Sequence, residues 1–128
     1  STYKMAEIEV LAADQAKINK FGNLNTQCTA LKMELETLEK KNEQFKTATD
    51  YLEEAELMGD IETVPYQVGT AFIELPLSTA SEEITKDKAE VDEKVNSLKS
   101  QIAAKEQEMD LLRTALYGKF GRENINLG

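Results

Sequence analysis

The stretch that decides the fold is residues 64–76, VPYQVGTAFIELP, which the two prolines of the chain, Pro65 and Pro76, bracket. Aromatic and β-branched residues dominate it, as they do in β-strands. The pair Val68-Gly69 supplies a turn, with Gly69 expected to take a positive φ. The stretch therefore predicts a β-hairpin over residues 62–76.

Most apolar side chains of each strand share one face, because successive side chains of a strand point to opposite sides. On the first strand, Val64, Tyr66 and Val68 are predicted to share one face. On the second strand, Ala71, Ile73 and Leu75 share one face, and Phe72 lies on the other. Two strands are marginal in water, and both outer edges are open to further pairing. Either the hairpin is a simple linker, or several chains pool their hairpins into one sheet or barrel, which is the interpretation we favour.

Heptad patterns flank the hairpin on both sides. Before it, a seam recurs every seventh residue at Leu24, Leu31, Leu38, Phe45 and Leu52, with a second seam at Cys28, Leu35, Asn42 and Thr49. This pattern predicts a helix over about residues 5–58 that Gly59 ends as a left-handed C-cap.

After the hairpin, a second seamed helix is predicted over residues 79–117. Thr79 and Glu82 have the spacing of a capping box at its start, and Gly118 and Gly121 are expected to stop it. Its seams are Val95, Ile102, Met109 and Leu116, and Ile84, Val91, Leu98, Lys105 and Leu112. Residues 118–128 are predicted to form a tail.

Two seamed helices joined by a short segment are expected to pair with each other, since neither buries its apolar stripe alone. The predicted fold is mainly α: one domain over residues 1–128, a long antiparallel two-helix coiled coil whose central β-hairpin joins an intersubunit β-barrel. Both chain ends are expected at one end of this arm and the hairpin at the other.

The composition excludes several classes of function. A net charge of −9, with 15 basic and 24 acidic residues, opposes binding to nucleic acid or an anionic membrane. There is no histidine for acid–base or metal chemistry, one cysteine cannot form a thiolate zinc site, and no glycine-rich phosphate loop is present. We therefore expect neither an enzyme nor a cofactor. The single Cys28, with no membrane-spanning or signal-like segment, favours the cytoplasm.

Three motifs resemble the β-class subunits of eukaryotic prefoldin. DQAKINKF, residues 14–21, resembles a motif of their first helix, and PYQVGTAFI, residues 65–73, is similar to their hairpin. LYGKFG followed by NINL, within residues 116–127, resembles their C-terminal motif, with one extra residue before Asn124.

The resemblance implies a hexamer of two α-class and four β-class subunits, so that three further β-class chains are partners. Hairpins form a barrel platform from which coiled coils extend. The complex holds unfolded actin and tubulin without ATP and delivers them to the cytosolic group II chaperonin. The other interpretation is a structural scaffold or tether without client binding.

We assign two candidate surfaces on this basis. Hairpin residues predicted to drive assembly are Val64, Tyr66, Val68, Phe72, Ile73 and Leu75. Residues predicted to contact clients near the chain ends are Leu11, Ile18, Phe21, Leu116, Tyr117, Phe120, Ile125 and Leu127. For Ile18, Phe21 and Leu116 an equal alternative is that they simply close the coiled coil.

Overall fold

The computed structural model describes residues 8–128 and contains two long helices that flank an antiparallel hairpin. The first helix, α1, spans Ala12–Met58, and the strands β1 and β2 span Thr63–Val68 and Ala71–Pro76. The second helix, α2, spans Leu77–Phe120. The predicted mainly helical fold with a central hairpin is confirmed.

Helix α1 begins later than predicted. Residues 5–7 lie outside the described part of the chain, and residues 8–11 are not helical. The backbone N–H of Leu11 donates to the Asp14 carboxylate at 2.9 Å, and the Leu11 carbonyl accepts from Gln15 N–H at 3.0 Å. Leu11 is therefore the N-cap, and Asp14, three residues on, returns a side-chain acceptor to it as in a capping box. At the other end Gly59 has φ 75°, as its predicted C-cap role requires.

Helix α2 is longer than predicted at both ends. It begins at Leu77, directly after β2, where the Leu77 N–H donates to the Glu62 carbonyl at 3.3 Å. Thr79 therefore lies inside the first turn and is not the N-cap. Gly118 does not stop the helix either, since intrahelical hydrogen bonds tolerate a single glycine at a modest cost. The stop is Gly121, with φ 81°.

The hairpin turn consists of Gly69 and Thr70, one residue later than predicted. The strands pair from Thr63↔Pro76 to Val68↔Ala71, so Val68 is still a strand residue. Gly69 has φ 63° and Thr70 does not have positive φ, the pattern of a type II′ turn. This register places Val64 opposite Leu75 and Tyr66 opposite Ile73, so the face predicted for each strand lies on the same side of the hairpin.

The chain divides into two compact units, which we call the terminal unit and the hairpin unit. The terminal unit comprises Ser1–Glu34 and Leu98–Gly128, of which residues 8–34 and 98–128 are described; the hairpin unit is Leu35–Ser97. Within each unit the two helical segments run antiparallel and bury their heptad seams. Residues buried at the seams are Leu24, Cys28, Leu52, Ile84, Val91, Val95, Leu98, Ile102, Met109 and Leu116.

Each unit has its own apolar cluster. In the terminal unit the tip cluster comprises Phe21, Leu24, Cys28 and Met109. In the hairpin unit the hairpin cluster comprises Leu52, Val64, Ala80 and Ile84. The polar seam residue Asn42 donates to Asp92 on the facing helix at 3.0 Å, which fits a role in fixing the register.

Within residues 8–128, neither helix contains a segment long and apolar enough to cross a membrane. The same residues contain no group of three or more His, Cys, Asp or Glu side chains placed to hold a metal ion.

Candidate functional site

Of the six predicted assembly residues, three pack within the chain itself and three are exposed on its surface. Val64 is only 5% exposed and belongs to the hairpin cluster, against which Tyr66 and Leu75 also pack. Part of one face of the hairpin therefore packs on the helices that flank it, so these residues are not free for partner chains. The sequence missed this because alternation shows that a face is apolar and not what covers it.

Tyr66 also ties the hairpin to α2. Its hydroxyl donates a hydrogen bond to the Asp87 carboxylate. Burial raises the pKa of Tyr66 to about 12, and the hydrogen bond and negative charge of Asp87 act in the same direction. Asp87 was not singled out from the sequence, because it resembles the many other acidic residues on the outer faces of the helices.

We expect Tyr66→Phe to loosen the hairpin from α2. The substitution removes the hydroxyl donor and leaves the Asp87 carboxylate without this partner, at a cost of about 1.5 kcal/mol for a partly exposed bond to a charged group. Hydrogen exchange of the hairpin amides in the assembled complex will measure the loss as a fall of about tenfold in protection. Tyr51→Phe is the control, since Tyr51 is exposed in the same unit.

The raised pKa of Tyr66 determines how the stabilisation by the Tyr66–Asp87 hydrogen bond changes with pH. Because the folded-state pKa of Tyr66 lies above the ordinary tyrosine value of 10.0, its contribution is complete below pH 10 and is lost as pH rises through about 12. The difference between wild type and Tyr66→Phe is therefore expected to persist from pH 7 to 9. Equal protection of the two proteins across that range contradicts the assignment.

The rest of the hairpin remains on the surface. Val68, Ile73 and Phe72 are exposed, Phe72 by 66%, and they lie on both faces of the ribbon. Strands β1 and β2 pair only with each other in the described chain, so each keeps an open outer edge. Exposed apolar side chains beside unpaired strand edges form the candidate assembly surface.

A groove adjoins this surface on the β1 side. It has a volume of about 570 Å³ and is lined by Glu43, Gln44, Thr47, Ala48, Tyr51, Leu52, Val64 and Pro65. Its wall is formed mainly by apolar atoms of α1 and β1. The sequence did not predict it, because the groove depends on how closely β1 approaches α1.

The two units differ strongly in charge. The hairpin unit carries 16 acidic and six basic residues, a net charge of −10, whereas the terminal unit has eight acidic and nine basic residues. The net negative charge of the chain therefore comes entirely from the unit with the exposed hairpin. A surface of this kind favours a partner with a positive excess.

The predicted client-binding residues are also divided. Phe21, Leu116 and Phe120 are buried, Leu116 to 1% exposure, so they close the terminal unit. Phe120 was predicted to lie beyond the helix, but it is the last residue of α2. Leu11 is exposed, and four others are partly exposed: Ile18, Tyr117, Ile125 and Leu127.

A buried carboxylate holds the start of α1 to the end of α2. Asp14 accepts hydrogen bonds from the Lys119 ammonium and the Leu11 N–H. The Lys119 hydrogen bond, followed by that of Leu11, lowers the pKa of Asp14 below its ordinary value of 3.8. Asp14 therefore stabilises this contact fully above pH 3.8, and the contribution is lost as pH falls through the lowered pKa. No sequence pattern predicted this pair, because its members are 105 residues apart.

Comparison with known proteins identifies relatives over nearly the whole chain. A family model described as prefoldin subunit matches residues 15–123. The chain is 32% identical over 121 residues to prefoldin subunit 4 of Homo sapiens, covering 94% of this chain and 88% of the relative. It is 34% identical over 119 residues to prefoldin subunit 4 of Saccharomyces cerevisiae, covering 93% and 89%.

A solved structure has the same fold. The crystal structure of the prefoldin beta subunit from Thermococcus strain KS-1 superposes with a TM-score of 0.73 at 15% identity, covering 87% of this chain and 95% of that one.

Proposed function

Since this chain belongs to the prefoldin subunit family, we propose that it is a β-class member of a cytoplasmic heterohexamer that captures unfolded proteins. Prefoldin subunits are non-enzymatic chaperone components that assemble with other prefoldin subunits. The proposed complex contains two α-class and four β-class chains. It holds unfolded actin and tubulin without ATP and delivers them to the group II chaperonin.

The exposed half of the hairpin supports assembly through this element. Burial of one large apolar side chain contributes roughly 1.5–3 kcal/mol, and Val68, Phe72 and Ile73 are all available for it. Strands from neighbouring chains pair with the open edges of β1 and β2, which completes an intersubunit barrel. Val64, Tyr66 and Leu75 act indirectly, by seating the hairpin on its own helices.

The charge of the hairpin unit supports unlike neighbours. Two copies of this chain would bring together two units that each carry a net charge of −10, and like charges repel at an interface. Neighbours with basic residues near their own hairpins avoid this repulsion. This chain therefore occupies a position between different subunits.

One observation supports the proposed client binding: the terminal unit has apolar side chains that its own core does not bury. Leu11, Ile18 and Tyr117 remain partly or largely exposed although Phe21 and Leu116 close the unit beside them. Such contacts are individually weak, and several of them together hold a client that must later be released without ATP hydrolysis.

We expect the triple variant Leu11→Ser, Ile18→Ser, Tyr117→Ser to assemble normally and to bind unfolded protein less tightly. Loss of apolar contacts worth about 1 kcal/mol weakens binding about fivefold. Binding of denatured actin to the reconstituted complex, together with suppression of its aggregation, measures the change.

The control removes two exposed apolar side chains elsewhere in the terminal unit, by Met33→Ser and Leu111→Ser. Binding should be unchanged in the control. A complex that assembles but suppresses no aggregation, even with the unaltered chain, favours the scaffold interpretation, which the burial of Phe21, Leu116 and Phe120 in the chain's own core also fits.

A further inference from the structure

The segment after α2, residues 121–128, turns back along the terminal unit. We call it the strap. Gly121, with φ 81°, ends the helix, and Asn124 then fixes the reversal. The Asn124 side-chain amide donates to the Phe120 carbonyl at 2.8 Å, and its backbone N–H donates to the Gly121 carbonyl at 3.3 Å. The chain therefore leaves the helix in a defined direction.

The reversal brings Leu127 onto the tip cluster of Phe21, Leu24, Cys28 and Met109. From Met109 to Phe120 the helix advances about 16 Å at 1.5 Å per residue. After the turn at residues 122–124, the three residues 125–127 span up to about 10 Å when extended, which carries Leu127 back along the end of α2. Leu127 packs on the same cluster as the half-buried Leu112.

The strap turns at residues 122–124, and the residues after the turn have alternating exposure. Ile125 and Leu127 are partly buried, whereas Asn124, Asn126 and Gly128 are exposed. Its hydrogen bonds within the described chain are local: Gly121 N–H donates to the Tyr117 carbonyl at 2.9 Å, Asn124 bonds to Phe120 and Gly121, and Gly128 N–H donates to the Asn126 side chain at 3.1 Å. Among residues 8–128, no hydrogen bond fixes Ile125 or Leu127 to the helices. Leu127 is therefore held by its apolar contact with the tip cluster, while Arg122 near the start of the strap lies over the Tyr117 ring at 5.3 Å.

From this arrangement we infer that the strap is an internal ligand that occupies the place of an unfolded client segment. The surface over the tip cluster accepts an extended peptide with apolar side chains at positions i and i+2. Binding does not depend on specific hydrogen bonds to that peptide. Any unfolded chain with this alternation can replace the strap. The inference rests on the proposed function and adds the class of segment that is bound.

An internal ligand of this kind lowers the apparent affinity for clients. The surface is available only in the fraction of molecules whose strap is released, and the apparent dissociation constant rises by the reciprocal of that fraction. Two half-buried side chains held without hydrogen bonds imply a strap that is mostly seated but easily displaced. We expect removal of the strap to tighten client binding about fivefold.

The test compares reconstituted complexes that contain the full chain, the chain without residues 122–128, or the chain with Ile125→Ser and Leu127→Ser. Asn126→Ser is the matched control, because it changes an exposed strap residue between the two apolar ones. The first probe is a fluorescent peptide of residues 121–128, GRENINLG. It should bind the strapless complex, bind the intact complex about fivefold more weakly, and lose binding when it carries the two serines.

The second probe is reduced, carboxymethylated lactalbumin, a permanently unfolded protein. The strapless and double-serine complexes should bind it about fivefold more tightly than the intact and Asn126→Ser complexes, and excess peptide should reverse the gain. Unchanged or weaker binding overturns the inference, as does a peptide that binds no complex. These outcomes differ from failure of the proposed function, in which even the intact complex holds no unfolded protein.

Discussion

The double substitution Phe72→Asp, Ile73→Asp will leave the chain folded but outside the hexamer. Both side chains are exposed in the chain itself, so neither contributes to its own core. In the proposed barrel they are buried against neighbouring chains on the two faces of the ribbon. A buried carboxylate without a partner costs several kcal/mol, and two of them weaken assembly by a factor of at least about a thousand.

Mass measurement of the reconstituted complex decides this result. The expected species are a free altered chain with native helix content and an incomplete assembly of the remaining subunits. The control places the same two charges at other exposed apolar positions, by Met33→Asp and Leu111→Asp, and should leave the hexamer intact. A complete hexamer containing the Phe72→Asp, Ile73→Asp chain contradicts assembly through the hairpin.

The second large effect is expected from Leu116→Ala in the terminal unit. Leu116 is the most deeply buried large side chain of the described residues, at 1% exposure. Truncation of a fully buried leucine leaves a cavity and costs about 2–5 kcal/mol. The loss is local to the terminal unit, since Leu116 lies between Leu98 and Gly128. Client binding should fall as well, because the partly exposed residues beside it depend on this core for their positions.

Hydrogen exchange in the assembled complex measures this loss directly. Protection of the terminal-unit amides should fall by roughly 30-fold or more, while amides of the hairpin unit keep their wild-type rates. Leu111→Ala is the matched control on the same helix, because Leu111 is 68% exposed, and its effect should stay within about 0.5 kcal/mol. Equal effects of the two substitutions contradict the role given to Leu116.

These predictions depend on the division of apolar residues between core and surface, which the sequence predicted only in part. The heptad seams were predicted correctly, since a residue such as Leu98 or Ile102 repeats at the helical period and is buried. Beyond the seams the pattern fails. Val64 and Ile73 belong to the same predicted face, yet the first is buried by its own helices and the second is exposed.

The candidate client site shows the same limit. Tyr117 and Phe120 lie in one short motif, but helix α2 continues through Gly118 and turns Phe120 into the core, where it is 7% exposed. The Asp14–Lys119 pair and the seat of Leu127 join residues that are far apart in sequence, and no local pattern encodes such contacts. The helices and strands were predictable from neighbouring residues, whereas these contacts between single residues far apart in the sequence were not.

The sequence by itself determined the elements: two helices from the heptads, a hairpin from alternation and Gly69, and the glycine caps at Gly59 and Gly121. These features depend on backbone geometry and on neighbours within a few residues. Only the tertiary structure decided which apolar side chains are left over for partners. That outcome depends on which surfaces meet, and burial is a property of the pair of surfaces rather than of either residue alone.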